Sequence, residues 1–588
     1  MKGFYNRILS IDVSAKKAEV IPLPDETLGL TLGGKGLATE LLLRHNPPQA
    51  DPLGPENRLI FATGPVAGSS IWGSCRHGVF TKSPLTGCYS ESYSGGSAAE
   101  YMDRTGFDAV MIHGASSEPL WIEVSEEGAK FHAAGDLWGL DTFETEDRIK
   151  EWLGSNRSVK KSGVLSIGPA GENLVRLAVI ENDYWRSAGR TGVGAVMGSK
   201  RVKAVAFHGK SKRDAADPEL LKKFSKEVAE KGKTDKGAAA YKAMGTPMMV
   251  DVMSNVESFP TRYWHKGQAV HREKINAAAL HTRLEVVPNS CMKCFIACGR
   301  LGTVKEGRHK GLKIEGPEYE TIYAFGGLCE VDSIEEIAYL NDRCDRLGID
   351  TISAGNLAAL TIEAVLQGKV RYDIDYGKVD RIAALLEDIA FRRGIGDTLA
   401  RGIREAAKTW KMEDQAIHVK GLEPAGYDPR VLKGMGLAYG TSDRGACHLR
   451  ATFYKPELAG MIDPDTLEGK AKMFVEWEDR LIVFDALILC RFYRDLYQWD
   501  SLSTMIKGLT GMDLGIEQMR KIAGRISDQT RRFNLREGMT SADDRLPKRF
   551  HAEPLPGSGK IITEEQMSKL LQDYYAVRGW DEKGRPSD

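Results

Sequence analysis

The sequence predicts an α+β fold, with a β-rich N-terminal region followed by two mostly helical ones. Three textures along the chain carry that reading. Up to about residue 209, short apolar or alternating runs are closed by Gly, Pro or Asn-type breakers: RILSIDVS, AEVIPL, RLIFATG, FDAVMIHG, LWIEVS, GVLSIG and AVAFHG. That is the pattern of strands. After the charged junction GKSKRDAADPELLKKF, apolar residues recur at helical spacing in ELLKKFSKEVAEKG, EEIAYLNDRCDRLG and NLAALTIEAVLQG. A second Gly/Pro-rich stretch, VKGLEPAGYDPR, opens a third region, which ends in amphipathic helices such as EEQMSKLLQDYYAVRG. The boundaries predicted are 1–209, 210–417 and 418–588. Three domains also suit the length, since 588 residues exceed what one core sustains.

The composition excludes more than it assigns. With 81 basic and 81 acidic residues the formal net charge is zero, so no basic face for nucleic acid or a membrane surface is implied. Nine unevenly placed cysteines do not resemble a secreted disulfide framework. The start, MKGFYNRILSIDVS, shows no apolar signal-peptide core, and the longest apolar runs, such as LIVFDALILC, are too short and interrupted to span a bilayer. A soluble cytoplasmic enzyme is the expectation.

The densest chemistry lies in CMKCFIAC, where Cys291, Cys294 and Cys298 stand at C-x2-C-x3-C spacing. Three thiolates on one short turn suit an iron–sulfur cluster, with a fourth ligand from elsewhere. A zinc knuckle is the alternative, although zinc sites more often show paired C-x2-C halves. Four glycine-rich turns (GGKGLA, TGPVAGSS, SYSGGSAAE and SAGRTGVGAVMGSK) offer bare backbone amides to an anion. None fits a P-loop or a dinucleotide-binding fingerprint. Arg76, Arg186 and Arg190 lie beside two of them, so this region is read as cradling a phosphorylated cofactor. Asp345-Arg-Leu-Gly348-Ile-Asp350 and Asp485-Ala-Leu-Ile-Leu-Cys490 share a spacing, which suggests two quasi-equivalent loops clasping one cofactor, with Cys490 as the fourth cluster ligand.

With these motifs in order, the chain resembles the tungsten-containing aldehyde:ferredoxin oxidoreductases nearly end to end. The resemblance runs through SPLTG, SIGPAGENLV, AGRTGVGAVMGSK, CMKCFIAC, EGPEYE, DRLGIDTIS, YDPR, RGACH, LPKRF and YYAVRGW. It implies a two-sheet β-saddle domain followed by two mostly α-helical domains. It also implies tungsten (or molybdenum) held by the dithiolenes of two pterins, Mg²⁺ bridging the pterin phosphates, and one [4Fe–4S] cluster. No protein cysteine is expected to bind the tungsten.

Carried over position by position, the resemblance gives Cys291, Cys294, Cys298 and Cys490 to the cluster. Arg76, Tyr93, Gly95, Arg186, Ser187, Gly189 and Arg190 fall near the pterin phosphates and Mg²⁺. Asp345, Ile349, Asp350, Asp485 and Leu489 fall on the clasping loops. Arg450 stands where the family often has Lys, which keeps the cation and changes its donor geometry. Tyr93 stands where others have Asn, at a position that would serve Mg²⁺ through its carbonyl. The second loop lacks the usual Gly before Leu-Cys, which implies a shifted backbone.

Glu320 and His448 are the candidate acid–base pair for aldehyde oxidation, with Tyr319 assisting at the carbonyl oxygen. Some members bridge two subunits through one iron held by an E-x2-H pair. Here Tyr339 and Asp342 occupy those positions, which argues against an iron-bridged homodimer and for a ferredoxin-like subunit, with a flavin subunit beyond it. Two other functions stay open: the tungsten subunit of a benzoyl-CoA reductase, and a non-catalytic iron–sulfur conduit.

Overall fold

A computed structural model of the chain describes residues 1–587. By its internal contacts the chain divides into two compact units. The first gathers Met1–Ala239, Ser290–Ile296 and Asp479–Gly538; the second gathers Ala240–Asn289, Ala297–Glu478 and Met539–Asp588.

The first unit holds two six-stranded sheets, as expected. The strands are β1 (Arg7–Asp12), β2 (Lys17–Pro22), β3 (Leu59–Ala62), β4 (His77–Lys82), β5 (Tyr89–Ser94), β6 (Ala109–His113), β7 (Leu120–Ser125), β8 (Gly128–Ala133), β9 (Gly163–Ser166), β10 (Ile180–Asn182), β11 (Arg186–Ala188) and β12 (Val202–Phe207). One sheet has the order β2-β1-β6-β3-β4-β5 and the other β11-β10-β9-β12-β7-β8. The pairs β1–β6 and β7–β12 are parallel, and the remaining pairs are antiparallel.

The period-2 alternation of the strands explains how the two sheets pack. Leu9, Ile11, Phe61 and Val79 of one sheet join Ile122, Leu165, Ile180 and Phe207 of the other in a single buried cluster. Phe61 and Phe207 meet edge to face at 6.2 Å between ring centroids. The alternate residues Ile8, Ile60 and Phe80 face outward onto the helix Gly34–His45 through Leu37 and Leu41. The second sheet likewise turns Trp121, Ala204 and Ala206 onto Ile149 and Leu153 of the helix Thr142–Arg157. Asp141 caps that helix by accepting the Glu144 N–H.

The second unit is mostly helical. It also carries one small antiparallel sheet that the sequence did not suggest: β13 (Leu284–Asn289), β14 (Gly299–Val304) and β15 (Lys313–Glu315). Its helices Ile334–Leu347 and Thr351–Leu366 enclose the predicted Asp345–Asp350 loop. Trp264, fully buried, packs edge-on against Tyr323 and Phe550. Among the described residues no helix is long and apolar enough to cross a membrane.

Because Phe207 is wholly buried between the two sheets, Phe207→Ala leaves a cavity that cannot be refilled. Chemical denaturation should show a loss of about 3–5 kcal/mol. A loss under about 1 kcal/mol would mean that the sheets do not pack face to face there.

Candidate active site

In the first unit, β4, β5, β10 and β11 build a polar cradle. Arg76, just before β4, donates from Nη2 to the Tyr93 carbonyl oxygen at 3.2 Å. The Tyr93 hydroxyl donates to Glu91 at 2.7 Å, and the buried Lys35 pairs with the other Glu91 oxygen at 3.1 Å. Tyr93 thus keeps its carbonyl in the strand and sets its hydroxyl on the buried Lys35–Glu91 ion pair. Ser187 on β11 gives its hydroxyl to Glu181 at 2.7 Å. Burial pushes the Glu181 carboxyl up to about 8, against the Ser187 hydrogen bond. Gly189 and Arg190 have carbonyls that accept from Ser92 Oγ, and Arg190 takes a left-handed φ of 81°.

The glycine turns do more than offer amides. Their missing side chains let remote segments approach the sheets. A Cβ on Gly34 would stand 2.4 Å from the Ala486 carbonyl oxygen, and one on Gly64 would stand 1.7 Å from that of Leu487. The Asp485–Cys490 loop therefore rests on bare backbone. Gly73 receives the Cys490 N–H at 2.9 Å. A Cβ on Gly95 would stand 2.7 Å from Cys291 Sγ, while Gly96 N–H reaches that sulfur at 3.2 Å.

Cys291, Cys294 and Cys490 are thereby gathered in the first unit. Burial raises the Cys490 thiol, Arg76 opposes it, and the nearby Cys294 and Cys291 reinforce it. Tyr493 points its hydroxyl at Cys294 Sγ, 3.5 Å away. Cys298, the other predicted ligand, lies in the second unit just before β14. Three converging thiols with N–H and O–H donors on their sulfurs fit an iron–sulfur cluster. Among the described residues, no three His, Cys, Asp or Glu side chains are disposed around a single metal ion.

The two predicted loops share one backbone form. In the second unit Gly348, at φ 74°, ends a helix, with Gly348 N–H on Asp345 O at 3.2 Å and Ile349 N–H on Cys344 O at 2.9 Å. In the first unit Ile488 N–H reaches Asp485 O at 3.3 Å and Leu489 N–H reaches Phe484 O at 2.8 Å. The second loop carries no glycine at the position that Gly348 fills in the first. Ile488 takes the left-handed conformation itself, at φ 54°, which is unusual for a β-branched residue. Its side chain is buried with Leu37, Leu41 and Phe533, and that packing offsets the strain. The loop carboxylates are already engaged. Asp350 caps the helix Thr351–Leu366 by accepting from Ile352 and Ser353 N–H, Asp345 accepts from Asn341, and Asp485 pairs with Arg491.

The acid–base candidates lie in the second unit. Glu320 accepts the Gly426 N–H at 3.0 Å, and its other oxygen stands 3.5 Å from His448 Nε2. Tyr319 gives its hydroxyl to the carbonyl oxygen of Gly426. The Gly426 residue thus holds both neighbours in place. Burial, then the Glu320 charge, push the Tyr319 hydroxyl well above its usual pKa, so it stays a donor. The turn is locked by the buried Asp428–Arg430 pair at 2.6 Å, with Arg430 also donating to Trp264 O at 2.6 Å. Tyr427 stacks on His448, with centroids 5.6 Å apart, and on Tyr454 at 4.3 Å. The residues after Glu320 form a π-helix, Ile322–Leu328, a form often found at functional sites.

Sequence reasoning quoted YDPR and RGACH but missed what they do here. Gly426, Tyr427 and Tyr454 wall the pair. Burial would raise the Cys447 thiol, but Arg444 and Arg450 outweigh it and bring it down to about 7. Arg444 Nη2 donates to Cys447 Sγ at 2.9 Å. The two arginines flanking CH in RGACHLR were the available signal. Tyr339 stacks on His309 at 4.4 Å and Asp342 pairs with Arg346 at 3.0 Å.

Family models described as the aldehyde ferredoxin oxidoreductase N-terminal domain and domains 2 and 3 match residues 8–209 and 219–588. The chain belongs to the aldehyde ferredoxin oxidoreductase family. The tungsten-containing aldehyde ferredoxin oxidoreductase of Thermococcus kodakarensis is 36% identical over 601 aligned residues, covering 100% of this chain and 98% of the relative. Its Pyrococcus furiosus counterpart is 35% identical with the same coverage. Among solved structures, the active-site complex BamBC of benzoyl coenzyme A reductase, in complex with 1,5-dienoyl-CoA, shares the fold. Its TM-score is 0.85, with 23% identity over 100% of this chain and 96% of that one. The α+β expectation is met. Membership in this family of tungsten-containing oxidoreductases implies a tungstopterin.

The glycine contacts give a direct test. Gly64→Ala drives a methyl group into the Leu487 carbonyl and must displace the loop that carries Cys490. Purified Gly64→Ala protein should hold less than about half the iron of the parent and lose visible absorbance. Full iron content with unchanged thermal stability would contradict the packing described.

Proposed function

We propose that this chain interconverts aldehydes and carboxylic acids at a tungsten bis-pterin centre. Two electrons would pass through one [4Fe–4S] cluster to a ferredoxin or ferredoxin-like subunit, with a flavin subunit as a further acceptor. The observation that carries the reading is the Glu320–His448 pair, fixed on Gly426 and walled by Tyr427 and Tyr454.

Arg76, Gly95, Arg186, Ser187, Gly189 and Arg190, with the Tyr93 carbonyl, would hold the pterin phosphates and their Mg²⁺. Asp345, Ile349, Asp350, Asp485, Leu489 and Arg450 would contact the pterins, and Cys291, Cys294, Cys298 and Cys490 would ligate the cluster. Since the loop carboxylates already cap or pair locally, the backbone N–H and C=O groups they hold in place are the better pterin partners. When bound, the metal centre supplies the two-electron redox step; molybdenum would serve in the same setting.

The net reaction takes an aldehyde and water to a carboxylic acid, two protons and two electrons. Glu320, with one oxygen held by the Gly426 N–H and the other facing His448 Nε2, takes a proton from the attacking water. His448 donates an N–H to the carbonyl oxygen and relays the released proton outward. Tyr319 is assigned to holding Gly426 in place of touching substrate, because its hydroxyl is committed there. Tyr339 and Asp342, engaged with His309 and Arg346, support the reading that the chain would not bridge a second copy through iron. The alternative, the tungsten subunit of an aromatic-ring reductase, draws only on a shared fold. The full-length likeness to aldehyde enzymes favours the first reading. An iron–sulfur conduit would leave the Glu320–His448 pair without purpose.

Glu320→Gln keeps shape and hydrogen bonds but removes the base, so aldehyde–viologen turnover should fall on the order of 10²–10⁴-fold. Tungsten, pterin and iron contents should stay unchanged. His448→Ala should also lose activity and change the pH profile. Metal-replete variants that both turn over within a few-fold of the parent would make these residues structural.

A further inference from the structure

Tyr493 closes the short turn Arg491–Tyr493 that follows Cys490, and it is fully buried. Its hydroxyl accepts the Phe295 N–H at 3.1 Å and donates toward Cys294 Sγ, 3.5 Å away. Both residues belong to the first unit. A phenol has one hydrogen to give, and with an amide on its lone pair the sulfur is the acceptor left to it.

The surroundings fix that direction. Gly73, at φ 77°, makes room for the ring: a Cβ there would stand 2.5 Å from ring carbon Cδ2 of Tyr493. Gly73 also gives its N–H to Lys293 O at 2.8 Å and accepts the Cys490 N–H at 2.9 Å, so one residue ties the two cysteine segments together beside the ring. Tyr497 stacks on Tyr493, with centroids 5.4 Å apart, and commits its own hydroxyl to Trp72 O at 2.9 Å. Phe295 meets the Tyr493 ring edge to face at 5.1 Å, and Trp72 meets Phe295 at 5.3 Å. The O–H···S contact therefore lies against aromatic rings, where little water competes with it and a hydrogen bond is electrostatically stronger.

We propose that Tyr493 is a positioning residue that sets the reduction potential of the iron–sulfur cluster by donating its O–H to the Cys294 sulfur. This rests on the cluster reading. A donor on a thiolate ligand withdraws electron density from the iron and favours the reduced, more negative cluster. The cluster takes up one electron and later passes one on; the hydroxyl keeps its proton throughout, so no bond forms or breaks. With the Gly96 N–H on Cys291, two of the cluster thiols then carry a fixed donor each. Both donors make the cluster a readier acceptor for electrons leaving the substrate.

The test is a redox titration of the whole chain, purified anaerobically with its cluster and followed by the EPR signal of the reduced state. Tyr493→Phe keeps the ring and removes the hydroxyl. Its midpoint should move to more negative potential, with iron content per chain as in the parent. Tyr497→Phe is the control: it removes a hydroxyl from the same stack, one bound to a backbone oxygen, and should keep the parent midpoint. If Tyr493→Phe fails to hold the cluster, Tyr493→3-fluorotyrosine takes its place. That residue keeps ring and hydroxyl, donates more strongly at neutral pH, and should move the midpoint to more positive potential. An unchanged midpoint at position 493, a shift of the opposite sign, or an equal shift in Tyr497→Phe would overturn the proposal and leave Tyr493 a packing residue. A parent chain that holds no [4Fe–4S] cluster, even after reconstitution with iron and sulfide, would instead overturn the reading on which the proposal rests.

Discussion

The first unit depends on glycine where backbone must meet backbone. The Asp485–Cys490 loop lies against Gly34 and Gly64 so closely that a single Cβ would occupy the space of a carbonyl oxygen. Cys291 lies against Gly95 in the same way. Residues roughly 200 to 450 positions apart in sequence are thereby brought against the two sheets and their helices. The cost of that closeness is visible at Ile488, which holds a left-handed conformation because its side chain is locked in the core beneath. Sheets that share one apolar interior give such a site a stable floor, and the donors aimed at sulfur are the Gly96 N–H of a turn and the Tyr493 hydroxyl.

In the second unit the organising element is one residue. Gly426 donates to Glu320 and accepts from Tyr319, and the Asp428–Arg430 pair fixes the turn that presents it. Gly426 has to be glycine for the same physical reason as the first-unit turns: a Cβ there would stand 2.7 Å from the Tyr323 ring. The catalytic candidates are thus held by main chain, which does not change rotamer, and by stacked aromatic rings, which exclude water.

Much of the architecture was legible in the sequence. RILSIDVS, AEVIPL, RLIFATG, FDAVMIHG, LWIEVS, GVLSIG and AVAFHG became β1, β2, β3, β6, β7, β9 and β12, because their alternation matches sheets buried on one or both faces. The strands that escaped notice are the polar ones. β5, YSESYS, is buried through hydrogen bonds and an ion pair, so it shows no apolar period. The small sheet β13–β15 was hidden by its short, glycine-broken strands. The shared backbone form of the Asp345–Asp350 and Asp485–Cys490 loops was legible because it follows local spacing. The Gly426 clamp and the arginines on Cys447 were not, because each depends on which groups the fold sets beside it. The glycine turns were read as phosphate cradles alone, when several of them serve as contact points for other backbone.

The reading proposed for this chain is that it would carry a tungsten bis-pterin with its Mg²⁺ and a four-iron cluster, and no iron beyond those four. The most direct measurement is metal and pterin-phosphate stoichiometry on protein purified anaerobically from cells supplied with tungstate. The account predicts, per chain, about one tungsten, about four irons and two pterin phosphates, with iron lost on replacing Cys490 by Ser while tungsten is kept. A chain saturated with iron but free of tungsten and pterin, or one carrying a reproducible extra iron shared between two copies, would contradict it.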